Sequence, residues 1–296
     1  MPLDILVPFW GDPAMLRETV DSVLAQTSDD WTLTVVDDAY PDTSVAAYFD
    51  GITDARVRYV RNEVNQGITE NYRTCVRLAT QELVVILGCD DVLLPNYVEV
   101  VLRAHRAFPD ADIIQPGVQV IDENGAVTRT LVDSVKQRVT MPRGSGARVV
   151  HGEALARSLL RADWLYWPSL VFKRSRLLEV DFREGFPIIQ DLALVMDLVG
   201  SGSALLIEPT VCFSYRRHSA SASSSKLADG SRFVGERDYF AFAAGQMEEL
   251  GWKRARRAAQ LRLTSRAHAL TLLPRAVVAR NGDGARALAR HAFLGA

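Results

Sequence analysis

The stretch LVVILGCDDVLLP at residues 83–95 runs apolar and small residues into two adjacent aspartates, Asp90 and Asp91. Neighbouring carboxylates repel one another and need a positive partner, and a Mg2+ or Mn2+ ion shared with phosphate oxygens is a common one. The same pair also suits a turn, or in Asp91 the cap of a helix starting near Pro95. A second acidic pair, Asp37 and Asp38, ends the run LTVVDD. That ending also suits the acidic pocket of a response-regulator receiver domain, but no lysine follows at a later strand end, and the chain is far longer than such a domain.

The elements that carry these pairs are legible from periodicity. LDILVP, LTVVDD, VRYVRN, LVVILG and DIIQPG read as strands, and Pro13–Gln26, Ser44–Gly51, Gly67–Thr80 and Pro95–Phe108 read as the helices between them. This alternation predicts an α/β fold, with βα units on a mostly parallel sheet flanked by helices. In such sheets ligands bind beyond the carboxyl ends of the strands, where Trp10 and Asp12, Asp37 and Asp38, and Asp90 and Asp91 would converge. Residues 124–152 read as a surface hairpin or mobile loop, and residues 164–173, WLYWPSLVFK, return to strand character. A helix over Gln190–Gly200, a strand over Ala204–Glu208 and the polar loop YRRHSASASSSK follow. Beyond residue 230 the pattern is helical, with an apolar stripe through Lys253–Leu273 that Pro274 is expected to end.

At 296 residues and 48% hydrophobic content the chain can bury a sizeable core. Asp4 interrupts the first apolar stretch, so no signal peptide is expected; with no membrane-length apolar run either, the expectation is a cytoplasmic protein. Cys75, Cys89 and Cys212 lack metal-ligand spacing and read as free thiols. The net charge of −2 conceals a division: residues 252–296 hold ten of the 34 Lys and Arg residues and a single acid, Asp283. Such a tail suits a peripheral contact with an anionic membrane, packing on the acidic part of the chain, or an oligomer contact; without interleaved aromatics, nucleic acid is not expected.

The motifs in order resemble those of the family 2 glycosyltransferases, inverting enzymes of the GT-A fold, over most of residues 3 to 220. ILVPFWGDP resembles the family's opening strand, with Trp10 in place of a base-stacking tyrosine, and implies that Pro8, Phe9 and Trp10 hold the nucleobase. SVLAQTSDDWTLTVVDDAYPDTS implies that Asp38 accepts hydrogen bonds from the base or ribose. NEVNQGITENYRTCVRLATQELVVILGCDD is the most specific match and implies that Asn65, Gly67 and Asn71 lie at the donor. Asn65 reads equally as a helix cap.

The resemblance places Asp90 at the metal-binding aspartate and Asp91 at a frequent fourth one, but Gly88 stands where the family has a first carboxylate. Gln190 likewise replaces a glutamate, and Asp191 matches the catalytic base. Trp164 and Trp167 correspond to the acceptor wall, His218 to a metal ligand, and Arg216 or Arg217 to a phosphate partner. The resemblance implies a catalytic domain over residues 1–228 and a basic helical extension over 229–296. It further implies a UDP-, dTDP- or GDP-linked sugar donor, a hydroxyl acceptor such as a lipid-linked glycan, and Mn2+ or Mg2+. A silent nucleotide-sugar binding or assembly protein is the alternative; a sugar-nucleotidyltransferase would need a Gly-rich arginine loop that VPFWGDPAML lacks.

Overall fold

The structure, a computed structural model, describes residues 2–142, 144, 146–186, 188–217, 231–278 and 281–293. The first half alternates β1 (Leu3–Phe9), α1 (Pro13–Leu24), β2 (Trp31–Asp37), α2 (Ser44–Asp50), β3 (Val57–Arg61), α3 (Ile68–Leu78) and β4 (Leu83–Ile86). It continues with β5 (Val92–Leu93), α4 (Tyr97–Ala107), β6 (Ile113–Ile121), β7 (Val127–Thr128) and α5 (Leu131–Val135). A π-helical turn at Lys136–Thr140 leads to β8 (Arg148–Val150), α6 (Gly152–Arg161), β9 (Val171–Lys173), α7 (Arg174–Glu179), α8 (Gln190–Gly200) and β10 (Leu205–Arg216). The helices α9 (Ser231–Glu249), α10 (Lys253–Leu261), α11 (Leu263–Val278) and α12 (Gly282–Phe293) follow.

One sheet has the order β3-β2-β1-β4-β9-β6-β10-β5, with β7 beside β6 and β8 beside β10. Pairing is parallel through β3, β2, β1 and β4, and again between β6 and β10. The antiparallel members β5, β7, β8 and β9 are two or three residues long, so the expected parallel character holds for the long strands. Side chains along β1 and β4 alternate between two cores, as the pleat requires. Ile5, Val7, Leu83 and Val85 pack with Leu16, Val20 and Val98, whereas Leu6, Val84 and Ile86 pack with Val76, Leu159 and Leu194. Helices therefore cover both faces. Asp4 is buried in β1 because its carboxylate accepts the backbone N–H groups of Thr80 (2.5 Å) and Gln81 (2.6 Å), fastening the turn before β4.

Three sequence expectations change. Residues 124–152 are not a plain loop: β7, α5, the π turn and β8 lie within them. The strand expected at Ala204–Glu208 runs on to Arg216, because β6 pairs with it as far as Ile121. The helix expected through Lys253–Leu273 breaks at Arg262, which adopts φ +46, while Pro274 lies inside α11. Pro274 is exposed, so the carbonyl it leaves unbonded one turn earlier can turn to water.

Tyr239, Phe240, Ala243, Met247, Ala255 and Ala259, from α9 and α10, share the core of Leu159 and Leu194. Ala269, Leu288 and Ala292 form a separate small cluster with Phe233. Among the described residues no helix is long and apolar enough to cross a membrane.

Candidate active site

The carboxyl ends of β1 and β2 lie side by side, with Phe9 opposite Asp37. Asp37 is fully buried and accepts hydrogen bonds from the Tyr40 N–H (2.7 Å), the Tyr59 phenol and the Arg61 guanidinium. Asp38 accepts from Asn62 Nδ2 (2.8 Å) and from the backbone N–H groups of Gln66 (2.9 Å) and Gly67 (2.8 Å). At 2% exposure its oxygens shape the loop into α3. Gly67, at φ +84, makes the turn that starts α3. Asn65 Oδ1 accepts from Gly67 N–H at 3.0 Å, an Asx turn. Asn71 is also closed to solvent: its Nδ2 donates to the Val36 carbonyl at 3.0 Å, tying α3 to β2.

Phe9 is a core residue at 0% exposure, so its ring supports Tyr40 (5.1 Å between centroids) and does not present a face to a base. Trp10, half exposed at 50%, meets Tyr40 edge-on at 5.3 Å and is the open aromatic surface at this strand end. Pro8 is partly exposed beside it. Tyr40 carries no signal in the sequence beyond its position two residues after the acidic pair.

After β4 the chain turns back so that Asp91 N–H donates to the Gly88 carbonyl at 3.2 Å. Asp91 is 1% exposed; its Oδ1 accepts the backbone N–H of Arg216 at 2.8 Å, and its carbonyl accepts Thr19 Oγ1 at 2.8 Å. Burial, and then the charge of Asp90, push the Asp91 carboxyl well above the usual carboxylate range, against the opposing pull of Arg216. A Cβ on Gly88 would stand 2.5 Å from Asp91 Oδ2 and 3.1 Å from Asp90 Oδ1. The space of the missing carboxylate is thus filled by that of Asp91. Asp90 remains partly exposed. The Cys89 thiol packs against the α1/α4-side core, and burial with the charge of Asp90 pushes it up to about 12.

Neither arginine stands ready for a phosphate. Arg216 is 3% exposed, and it donates to the Asp90 carbonyl (2.7 Å), the Glu123 carbonyl (3.1 Å) and Glu18. Arg217 pairs with Asp133 at 2.7 Å, its guanidinium 5.3 Å from the Tyr215 ring. His218 lies outside the described residues.

Asp191 sits in the first turn of α8, where its Oδ1 accepts the Leu192 N–H at 2.8 Å. It lines a narrow recess with Asp163, Leu165, Trp167, Leu170 and Leu192. Burial raises the Tyr215 phenol, and the charges of Asp91, Asp90 and Asp191 raise it further, against Arg217. Gln190 Oε1 accepts the Thr69 hydroxyl at 2.6 Å, so this glutamine fastens α8 to α3. Trp167 lines the recess and lies 6.0 Å from the Tyr72 ring. Trp164 is a core residue instead of acceptor wall: it is 0% exposed and donates from Nε1 to Ser158 Oγ at 3.0 Å. Asp163 and Tyr215 escape sequence reading because contacts distant in the chain bring them here.

Among the described residues no three His, Cys, Asp or Glu side chains gather as a metal cage. The partly exposed Asp90 beside the buried Asp91 fits a hard divalent cation that arrives with phosphate oxygens, the mode in which Mg2+ uses one or two carboxylates plus substrate.

A family profile described as Glycosyl transferase family 2 matches residues 4–163. An uncharacterized protein of Sinorhizobium fredii, y4gI, is 32% identical over 42% of this chain and 14% of its own length. The Escherichia coli UDP-Glc:alpha-D-GlcNAc-diphosphoundecaprenol beta-1,3-glucosyltransferase WfgD is 26% identical over 33% of this chain and 38% of its own. The chain thus spans well under half the length of these two relatives. A crystal structure of S. aureus TarS 1-349 in complex with UDP-GlcNAc superposes with TM-score 0.64 at 14% identity, over 81% of this chain and 66% of that one. That likeness shows the fold, a GT-A mixed sheet with flanking helices.

Proposed function

Because the chain belongs to glycosyl transferase family 2, we propose that it transfers a sugar, with inversion, from a nucleotide-diphosphate sugar to a hydroxyl acceptor. Trp10 with Pro8 receives the base, and the Asn65–Gly67 turn with the first amides of α3 faces the nucleotide. Asp90 would hold Mn2+ or Mg2+, which would supply positive charge to the leaving diphosphate. Asp191 takes the proton of the acceptor hydroxyl, and Trp167 offers a flat face to the acceptor sugar. The catalytic unit is residues 1–228, and 229–296 is its basic extension.

The observation that supports this reading is the acidic pair after β4, where buried Asp91 leaves Asp90 partly exposed at the carboxyl end of the parallel strands. UDP-GlcNAc on TarS supports a UDP-linked donor, and the lipid diphosphate acceptor of WfgD supports a role in polysaccharide synthesis on a lipid-linked glycan. A protein working on such an acceptor gains from peripheral contact with the anionic inner face of a membrane, which the tail's charge favours.

The test is a panel of nucleotide sugars with Mn2+, followed by thermal shift and by release of the nucleotide. Asp191→Asn is expected to keep donor stabilisation and lose at least about 100-fold in turnover; Asp90→Ala is expected to lose the Mn2+-dependent part of the shift. Donor binding without turnover, unchanged by Asp191→Asn, would assign a nucleotide-sugar binding protein instead.

A further inference from the structure

Ala39, in the loop after β2, adopts φ +60, in the left-handed region that favours glycine. A side chain persists there only where its surroundings over-determine it, and residues held in this way gather at functional sites. On one side of Ala39 the hold is Asp38, whose carboxylate accepts the N–H groups of Gln66 and Gly67. On the other side the Tyr40 N–H donates to Asp37 Oδ1 at 2.7 Å, and the Tyr40 carbonyl accepts Arg61 Nη2 at 2.7 Å. Arg61 lies opposite Asp37 where β3 and β2 end, and its Nη1 donates to Asp37 Oδ2. Carboxylate and guanidinium thus bind each other and grip the Tyr40 backbone from its two polar groups.

What this turn delivers is the Tyr40 ring. It packs on the buried Phe9 at 5.1 Å and crosses Trp10 at 5.3 Å, with the two planes 85° apart. Trp10 is half exposed and Tyr40 partly so. Two crossed rings make a corner in which a flat heteroaromatic molecule stacks on one ring and meets the other with its edge, both favourable aromatic geometries. Such a corner serves binding best when both rings are in place before the ligand arrives, because no ordering then remains to be done.

We propose that Arg61 is a positioning residue for the nucleobase: by holding the turn at Ala39 in its left-handed form it keeps Tyr40 against Trp10, and the base of the donor lies in the corner of the two rings. Both arms of Arg61 are engaged by the protein, so it acts through Tyr40 and not on the nucleotide. The inference rests on Trp10 as the aromatic that receives the base in the proposed transfer.

The experiment is calorimetric titration of the full chain, with Mn2+ present, using whichever of UDP, dTDP and GDP the parent binds most tightly. Arg61→Lys keeps a positive charge beside Asp37 and gives up the second arm; Arg61→Gln serves the same purpose should the lysine variant unfold. Either is expected to bind that nucleotide about tenfold more weakly, part of what base–aromatic stacking contributes. Tyr40→Ala should lose at least as much and Tyr40→Phe should bind as the parent does. Arg61→Lys added to Tyr40→Ala should bring no further loss, because Arg61 acts through the ring. Ala39→Gly enters the left-handed region without strain and should return part of the affinity lost in Arg61→Lys. Parent-like binding by Arg61→Lys, losses that add to those of Tyr40→Ala, or no recovery with Ala39→Gly each overturns the inference. Nucleotide binding unchanged by Trp10→Ala would instead remove the base assignment, a separate failure, and a parent that binds none of the three nucleotides overturns both.

Discussion

The backbone N–H of Arg216 donates to Asp91 Oδ1 at 2.8 Å, while the Arg216 Nε donates to the carbonyl of Asp90 at 2.7 Å. One residue at the end of β10 thus grips both members of the acidic pair from two atoms. The guanidinium also reaches the Glu123 carbonyl and Glu18 on α1, so the turn after β4 is fixed by elements far away in the chain. Asp91, held from behind, is buried, while its neighbour Asp90 remains partly exposed.

Restoring an aspartate at position 88 is not expected to repair the family pattern. A Cβ there meets Asp91 Oδ2 at 2.5 Å, and Asp91 cannot swing away without giving up the Arg216 N–H. Gly88→Asp, and Gly88→Ala as the smaller probe, should each cost about 1–3 kcal/mol in urea denaturation, the usual penalty of overpacking. A variant as stable as the parent would show that Asp91 moves freely.

Asp91 should also mark the pH dependence of stability. Its folded value is raised above the unfolded one, chiefly by burial. It therefore favours the folded chain fully at pH values below the ordinary carboxylate range, and that contribution is lost as pH rises toward the raised value. Asp91→Asn keeps an oxygen for the Arg216 N–H and carries no charge. In metal-free buffer it should melt higher than the parent at neutral pH, with the difference vanishing at low pH.

The two tryptophans near the recess should separate cleanly. Trp164→Ala empties a core position and should cost about 3–5 kcal/mol by chemical denaturation. Trp167→Ala, on the recess, should raise the acceptor KM with a smaller loss of stability.

The tail prediction must respect the core. Truncation before α10 would remove Ala255 and Ala259 from the cluster they share with Leu159, so charge substitution is the better probe. Lys253, Arg254 and Arg257 are exposed on α10; each contributes about 1 kcal/mol near an anionic surface, and the triple Gln variant should sediment with anionic vesicles about 100-fold more weakly. On α11, Leu263, Leu270 and Val277 are exposed at a spacing of seven residues and would supply the apolar part of that contact. If the parent chain ignores such vesicles, the membrane contact is excluded.

The sequence alone carries the βα alternation, the sheet's cover on both faces and the strand ends at Trp10, Asp38 and Asp90, because each rests on periodicity within a dozen residues. It does not carry the inward turn of Asp91, which depends on Arg216 across 125 positions. Phe9 and Trp164 illustrate the same limit: an aromatic beside a cleft and one beneath it have the same letter and the same neighbours. Pro274 fails for another reason, since a helix side open to water tolerates the lost hydrogen bond.

The fit between Gly88 and Asp91 also bears on how such a site can change over time. In this chain a side chain at 88 would meet the Asp91 carboxylate, so substitutions at the two positions should be non-additive. A larger residue at 88 becomes tolerable once 91 has shrunk, so the room at this strand end is shared between the two positions.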